Sequence, residues 1–175
     1  MVSPRQLMPD YDLLHSLLEY KDGTLYNRIT RNSRAKAGEK SGSYSGKYAF
    51  VIINGIPWQV SRIIYFMHHK NIPACVDHIN GDTLDNRIEN LRAATLSQNQ
   101  FNHAKSSANK SGVKGVSWVK KYNKWYACIR INGITKNLGY YANLDDAKEF
   151  VDLVRSEAHG VFANHGAFKG ELNWP

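Results

Sequence analysis

The sequence predicts an α+β chain made of two small units. Three observations carry the prediction. Strand-length apolar runs meet at tight turn signals, Asp22-Gly23, Asn54-Gly55 and Asn132-Gly133. A Ser/Ala/Lys/Gly-rich stretch, residues 104–112, separates a β-rich first half from a second half of order βββα. Residues 144–159 (LDDAKEFVDLVRSEAH) repeat Ala147, Phe150, Val151 and Val154 at helical spacing, with Asp145 and Asp146 at the end the helix dipole favours.

In chain order, residues 10–20 read as a short helix or loop, and DGTLYNR as a turn entering a strand. After the loop 41–46, KYAFVIINGIPWQV reads as two strands about Asn54-Gly55. SRIIYFMHHK is helical, with Ile63, Ile64, Phe66 and Met67 as its apolar face, and Pro73 closes it. CVDHINGDTLDNRIENLRAATLSQNQFN reads as strand, turn, loop and helix. VKGVSWVKKYNKWYACIRINGITKNLGYYAN holds three strands, broken near Tyr122-Asn123 and at Asn132-Gly133. The expected division is a first domain over 1–104 with its core at about 74–104, a linker at 105–110, a second domain over 111–167 and a tail at 168–175.

Charge narrows the partners. Twenty-three Lys and Arg stand against 15 Asp and Glu, a formal +8, which favours a polyanion. The acids are uneven: from Thr24 to Val76 the only acid is Glu39, and from His103 to Leu144 there is none. Two basic stretches therefore flank one acidic-polar segment, residues 77–89. No apolar run has membrane-spanning length and no basic amphipathic helix stands out, so a membrane is the weaker partner. The N-terminal residues lack the apolar core of a secretory signal, and the two cysteines, Cys75 and Cys128, form no CxxC pair. A reduced, cytoplasmic setting is expected, with neither a zinc site nor a disulfide framework and with both thiols as small buried groups.

The segment from Val76 to about Asn102 carries Asp77-His78, Gly81-Asp82, Asp85-Asn86-Arg87, Asn90-Leu91-Arg92 and Asn99. With that spacing it resembles the HNH endonuclease family, in the branch typical of phage and intron-encoded homing enzymes. The resemblance implies a ββα-metal fold, with His78 as general base, Asp77 and Asn99 as ligands of one divalent ion (Mg²⁺ or Mn²⁺), and Asn90 bracing the loop that orients His78. The family's third position is often His; Asn99 there fits the homing branch. The chemistry agrees. Hydrolysing a phosphodiester needs an attacking water, a base and a positive centre. Neighbouring strand residues point to opposite sides, so a carboxylate and an imidazole can take separate tasks. Mg²⁺ keeps most of its waters, so two protein oxygens suffice. A lone Asp-His pair is ordinarily polar surface, and Asn-Gly loops are ordinarily turns; the joint pattern within a basic chain argues for a site. Upstream, WQVSRIIYFMHH resembles the family segment before Asp-His. Ser61 stands where His is common, and Arg62 is a phosphate contact, a contact to the strand backbone, or a surface charge. His68 and His69 read as solvated or DNA-proximal.

The second half carries Gly112-Val113, Gly115-Val116, Trp118, Lys124-Trp125, Ala127, Ile129-Arg130, Asn132-Gly133, Leu138-Gly139 and His159-Gly160. It resembles the APETALA-type, ethylene-response-factor-like DNA-binding domain, which implies a three-stranded sheet on one helix with the sheet in the major groove. Alternation puts Trp125, Ala127 and Ile129 on one face and Tyr126, Cys128 and Arg130 on the other; one face covers the helix residues Phe150, Val151 and Val154. The candidates for DNA contact are Lys114, Trp118, Lys120, Lys124, Arg130 and Lys136. Against these stand solvated charge for each Lys and a core position for Trp118. The expectation is a homing-type endonuclease acting on double-stranded DNA as monomer or weak dimer, leaving a 5′-phosphate and a 3′-hydroxyl. The alternatives are a non-catalytic DNA-binding regulator that keeps the fold, and a protein directed at RNA.

Overall fold

The computed structural model describes residues 8–167; the expected tail lies outside them. The chain divides into two compact units, Met1–His78 with Asp82–Ala93, and Ile79–Gly81 with Ala94–Pro175.

The first unit opens with α1 (Tyr11–Leu17), capped by the Asp10 carboxylate on the amides of Asp12 and Leu13. The antiparallel pair β1 (Leu18–Lys21) and β2 (Thr24–Asn27) follows, turned by Asp22 and Gly23 at positive φ. A three-stranded sheet comes next, β3 (Ser43–Ser45), β4 (Tyr48–Ile53) and β5 (Ile56–Gln59), in order β3-β4-β5. Its β4–β5 turn is Asn54-Gly55, both at positive φ. Helix α2 (Val60–His69) buries Val60, Ile63, Ile64 and Met67, a spacing of three and four residues, and ends on left-handed Lys70. These residues join Leu14, Leu18, Leu25, Val51, Ile53, Trp58 and Leu91 in one apolar core. Strands β6 (Cys75–His78) and β7 (Leu91–Ala94) pair as a separate two-stranded sheet, linked by a loop and a short 3-10 turn over Ile88–Asn90.

The second unit begins with α3 (Leu96–Phe101), started by a capping box of Thr95 and Gln98. Strands β8 (Val116–Val119), β9 (Lys124–Ile131) and β10 (Ile134–Tyr141) form an antiparallel sheet of order β10-β9-β8, followed by α4 (Leu144–His159). The core is small: Val113, Val116, Ala127, Ala147 and Val151. The buried row of α4 is Ala147, Val151, Arg155 and His159, whereas Phe150 is 41% exposed. The period was legible; that two polar side chains occupy the row in place of Phe150 was not.

Polar ties complete this small core. Arg155 is buried and donates to the Lys114 carbonyl at 2.6 Å and to Asp152 at 2.5 Å. Gly115 sits here at φ +81°, where a Cβ would come within 2.5 Å of the Cys128 carbonyl, so no larger residue fits. Asn164 donates to the Asn102 carbonyl at 2.8 Å, and Asn102 in turn donates to the Ile79 carbonyl at 3.4 Å. Residues 94–104, expected to close the first domain, thus pack with the C-terminal half. The stretch expected as a linker is itself ordered by Asn109 Nδ2 on the Val113 carbonyl at 2.9 Å and Lys105 on the Gly166 carbonyl at 3.4 Å.

Candidate active site and nucleic-acid face

β6 carries Asp77 and His78, and both are buried, 3% and 5% exposed. Adjacent strand residues point to opposite sides, so both faces of the β6–β7 pair are covered. His78 Nε2 lies 3.1 Å from Asn86 Oδ1. Asn86 Nδ2 donates to the Leu84 carbonyl at 3.2 Å, which leaves Oδ1 as the acceptor. Nε2 therefore carries the proton and the lone pair falls on Nδ1, the form a base requires. Burial pushes the His78 pKa below the ordinary imidazole value, against the opposing pull of the Asn86 hydrogen bond and the Asp77 carboxylate.

The loop that holds Asn86 is fastened along its length. Buried Asn90 donates to the Asp85 carbonyl at 2.7 Å, one residue before Asn86. Asp82 accepts from the Leu84 amide at 2.9 Å, and Arg87 forks onto Asp85 at 2.8 and 2.7 Å. From the β1–β2 hairpin, the Tyr20 hydroxyl accepts from the Ile88 amide at 3.0 Å. Gly23 in the turn lies so near Arg87 that a Cβ would come within 2.8 Å of its nitrogen. Thr83 Oγ1 donates to the Lys47 carbonyl.

Asp77 Oδ2 accepts from Arg92 Nε on β7 at 2.8 Å. Arg62 Nη1 lies 3.4 Å and 3.5 Å from the carbonyls of Pro73 and Ala74, so its guanidinium rests on the backbone entering β6. His68 Nδ1 lies 2.8 Å from the Ile64 carbonyl, and His69 packs against Tyr65. Asn99 stands half-buried on α3. Among the described residues no group of three or more His, Cys, Asp or Glu is placed to hold a metal ion. The expected donor set is one carboxylate and one amide oxygen, hard ligands suited to a hard cation, and it fits such an ion in kind; Arg92 already engages one of Asp77's oxygens.

In the second unit the register decides which side chains share a face. Val116 and Ala127 meet the helix, and Trp118 pairs with Trp125 on that same face. Lys136 pairs with buried Ile129 and also lies on the helix side. The open face holds Lys124, Tyr126, Cys128 and Arg130 of β9, flanked by Ser117 and Val119 of β8 and by Thr135, Asn137 and Tyr140 of β10. Tyr140 lies 5.2 Å from both Tyr122 and Tyr126, ring centre to ring centre, and Lys120 stands in the adjoining turn. This face is basic, aromatic and without acids. Lys114 is placed otherwise: its ammonium donates to the carbonyls of Phe101, His103 and Asn164 at 3.0, 2.5 and 3.0 Å. Burial, with Arg155 nearby, pushes its pKa down to about 8.

Sequence reasoning missed Asn86, which sits in the quoted Asp85-Asn86-Arg87 motif but reads as a turn residue. It also missed Arg92, Tyr20 and Arg155, whose partners are remote in sequence.

A family model described as HNH endonuclease matches residues 59–101, a span that contains β6, the fastened loop and α3. The chain is 33% identical over 88 residues to Protein 3.8 of Escherichia phage T7, covering 50% of this chain and 72% of that protein. It is 35% identical over 124 residues to the Uncharacterized HNH endonuclease L560 of Acanthamoeba polyphaga mimivirus, covering 69% of this chain and 64% of that one. No solved structure matches. Residues 59–101 thus carry an HNH endonuclease family domain, and the chain has a viral relative named as an HNH endonuclease. No helix among the described residues is long and apolar enough to cross a membrane.

Proposed function

We propose that this protein is a divalent-metal-dependent, sequence-directed DNA endonuclease of the homing type, cutting double-stranded DNA with His78 as general base. The observation that carries the proposal is the seating of His78: its ring is buried beside Asp77 and held through Nε2 by Asn86, itself fixed by Leu84, the kind of oriented imidazole that can serve as a base. Burial keeps the ring neutral, the state in which it can accept that proton. Asn90 acts one step back, on the carbonyl of Asp85, and Arg62 holds the backbone entering β6. Both are positioning residues. On the family resemblance, Asp77 and Asn99 are the protein ligands of one Mg²⁺ or Mn²⁺. When bound, such an ion supplies positive charge for the phosphate and the leaving oxygen.

Recognition is assigned to the open face of the β8–β10 sheet, through Lys124, Arg130 and the turn residue Lys120, with the tyrosine cluster between them. A sheet can enter the major groove, where base pairs are distinguishable. Lys114, Trp118 and Lys136 are left out of that face by their placement.

A second reading, a non-catalytic DNA-binding regulator, is favoured by one contact. Arg92 neutralises Asp77 in a buried ion pair, and a cation must share that carboxylate or displace the guanidinium. Incubation with a plasmid library and Mg²⁺, with cut ends mapped on each strand, separates the two readings. Discrete 5′-phosphate ends at a recurrent sequence support the nuclease. Binding without cleavage under any divalent ion supports the regulator.

A further inference from the structure

The second unit contains a cavity of about 400 Å³ at the edge of its sheet, bordered by Cys128 and Arg130 of the open face and by Ile129 of the helix face. Its origin is a mismatch of strand lengths. β8 begins at Val116, opposite Ala127, and Gly115 adds one more backbone bond, to Cys128. Beyond that, the β8 side of β9 has no strand partner, and helices α3 and α4 flank the gap. His159 closes part of it by meeting the Arg130 carbonyl at 3.1 Å. Burial pushes the His159 pKa down, which favours neutral imidazole donating through Nε2. Its Nδ1 is buried without a hydrogen-bond partner among the described residues. Phe101 lies flat on the His159 ring, 3.7 Å away at 1°.

The lining is chemically one-sided. Phe101 and Ile129 offer apolar surface, Gln100 an amide, and Arg130 and His103 cationic or polar nitrogen, while no Asp or Glu contributes. The volume lies within the range of small-ligand sites, roughly 300–1,000 Å³. Apolar walls suit a flat ring; an amide can pair with a base edge; an acid-free cationic rim suits phosphate.

We propose that this sheet-edge cavity is a binding site for a single nucleotide, its base against Phe101 and Ile129 and its phosphate toward Arg130. The site is independent of the cleavage chemistry proposed for His78, and its test does not require cleavage. Cys128 lines the cavity, whereas Cys75 lies in the other unit. The thiols therefore serve as reporter and control in the intact chain.

The experiment follows alkylation of both cysteines by iodoacetamide, read by mass spectrometry. The probes are deoxynucleoside 5′-monophosphates, a short duplex with one unpaired bulged base, and the same duplex fully paired. The expected result is at least a fivefold slowing at Cys128, with Cys75 unchanged, by a monophosphate or by the bulged duplex. A response to the monophosphate alone marks a free nucleotide as the source; a response to the bulged duplex alone marks a base swung out of DNA. Ser97→Trp, at an exposed rim position, fills the cavity and should abolish protection while the thermal melting curve stays unchanged. Two results overturn the proposal: Cys128 reacting equally fast with and without every probe, or the paired duplex protecting as well as the bulged one while monophosphates have no effect.

Discussion

The two units differ in how their buried polar groups are distributed. The first has a broad apolar core of eleven buried residues; four of its buried polar residues, Asp77, His78, Asn86 and Asn90, gather on one strand and the loop behind it, while Asn27 on β2 ties to the Glu39 carbonyl. The core of the second has five residues, and its buried polar residues Arg155, Asn164 and His159 bind backbone carbonyls of distant segments. A small core removes little apolar area from water, so directed hydrogen bonds carry more of the second unit's stability. Buried polar side chains thus serve construction in both units, and in the first a further cluster of them forms the site proposed for chemistry.

That contrast can be broken first at Arg155. Arg155→Met removes the buried partner of Asp152, leaving it Lys148 and His165, and strands the Lys114 carbonyl. Losing one side of a buried charged pair costs on the order of 3 kcal/mol, so chemical denaturation should show the second unit losing about that much. A change under ~0.5 kcal/mol, the range of ordinary surface substitutions, would remove the constructional role.

In the first unit the matching substitution should spare stability more than function. Asn86→Ala releases His78 Nε2, and cleavage of bound DNA should fall about 10–100-fold, as for other outer-shell partners of catalytic groups. DNA affinity measured by anisotropy should stay within twofold. Equal losses in both would place Asn86 among structural residues.

A smaller effect sharpens the assignment of sheet faces. Lys124→Ala and Arg130→Ala should each weaken binding and lower the slope of log affinity against log salt by about 1 if they meet phosphate. Lys136→Ala, on the helix side, should leave that slope unchanged. The reverse order would exchange the two faces.

The smallest effect concerns pH. The Lys114 pKa is about 8 in the folded chain, below the ordinary lysine value of ~10.4. Between these values the unfolded chain binds more protons, so stability rises with pH. Below pH 8 the desolvation penalty is fully present, opposed by the three carbonyl contacts. Thermal melts of wild type and Lys114→Met should therefore diverge in slope between about pH 8 and 10. Parallel curves would show that the ammonium keeps its ordinary pKa.

Local chemistry was readable from sequence where it is local in cause. Asn54-Gly55 and Asn132-Gly133 mark hairpins because positive φ is needed there, and α4 follows from its period. The Asp77-His78 pair and the Asn90 brace stand in the segment the family model matches. What could not be read depends on partners far along the chain. Phe150 and Arg155 are equally compatible with the helical period, and only Lys114, Asp152 and His165 around the guanidinium explain why the charged residue is inside. The packing of α3 with the C-terminal half rests on Lys114 and Asn164, 13 and 62 residues from their carbonyl partners Phe101 and Asn102. Strand β7 is four residues long and follows a 3-10 turn directly, too short for alternation to stand out.

The central claim is that His78 takes a proton in metal-dependent cleavage of DNA. The most direct measurement compares wild type and His78→Ala on supercoiled plasmid with Mg²⁺, with and without EDTA, beside DNA affinity for both. Wild type should nick or linearise the plasmid and lose all activity in EDTA. His78→Ala should bind DNA equally well and cut about 10²–10⁴-fold more slowly, the usual worth of a general base. A wild type that never cuts with any divalent ion, or a His78→Ala protein that cuts as fast, would contradict the account.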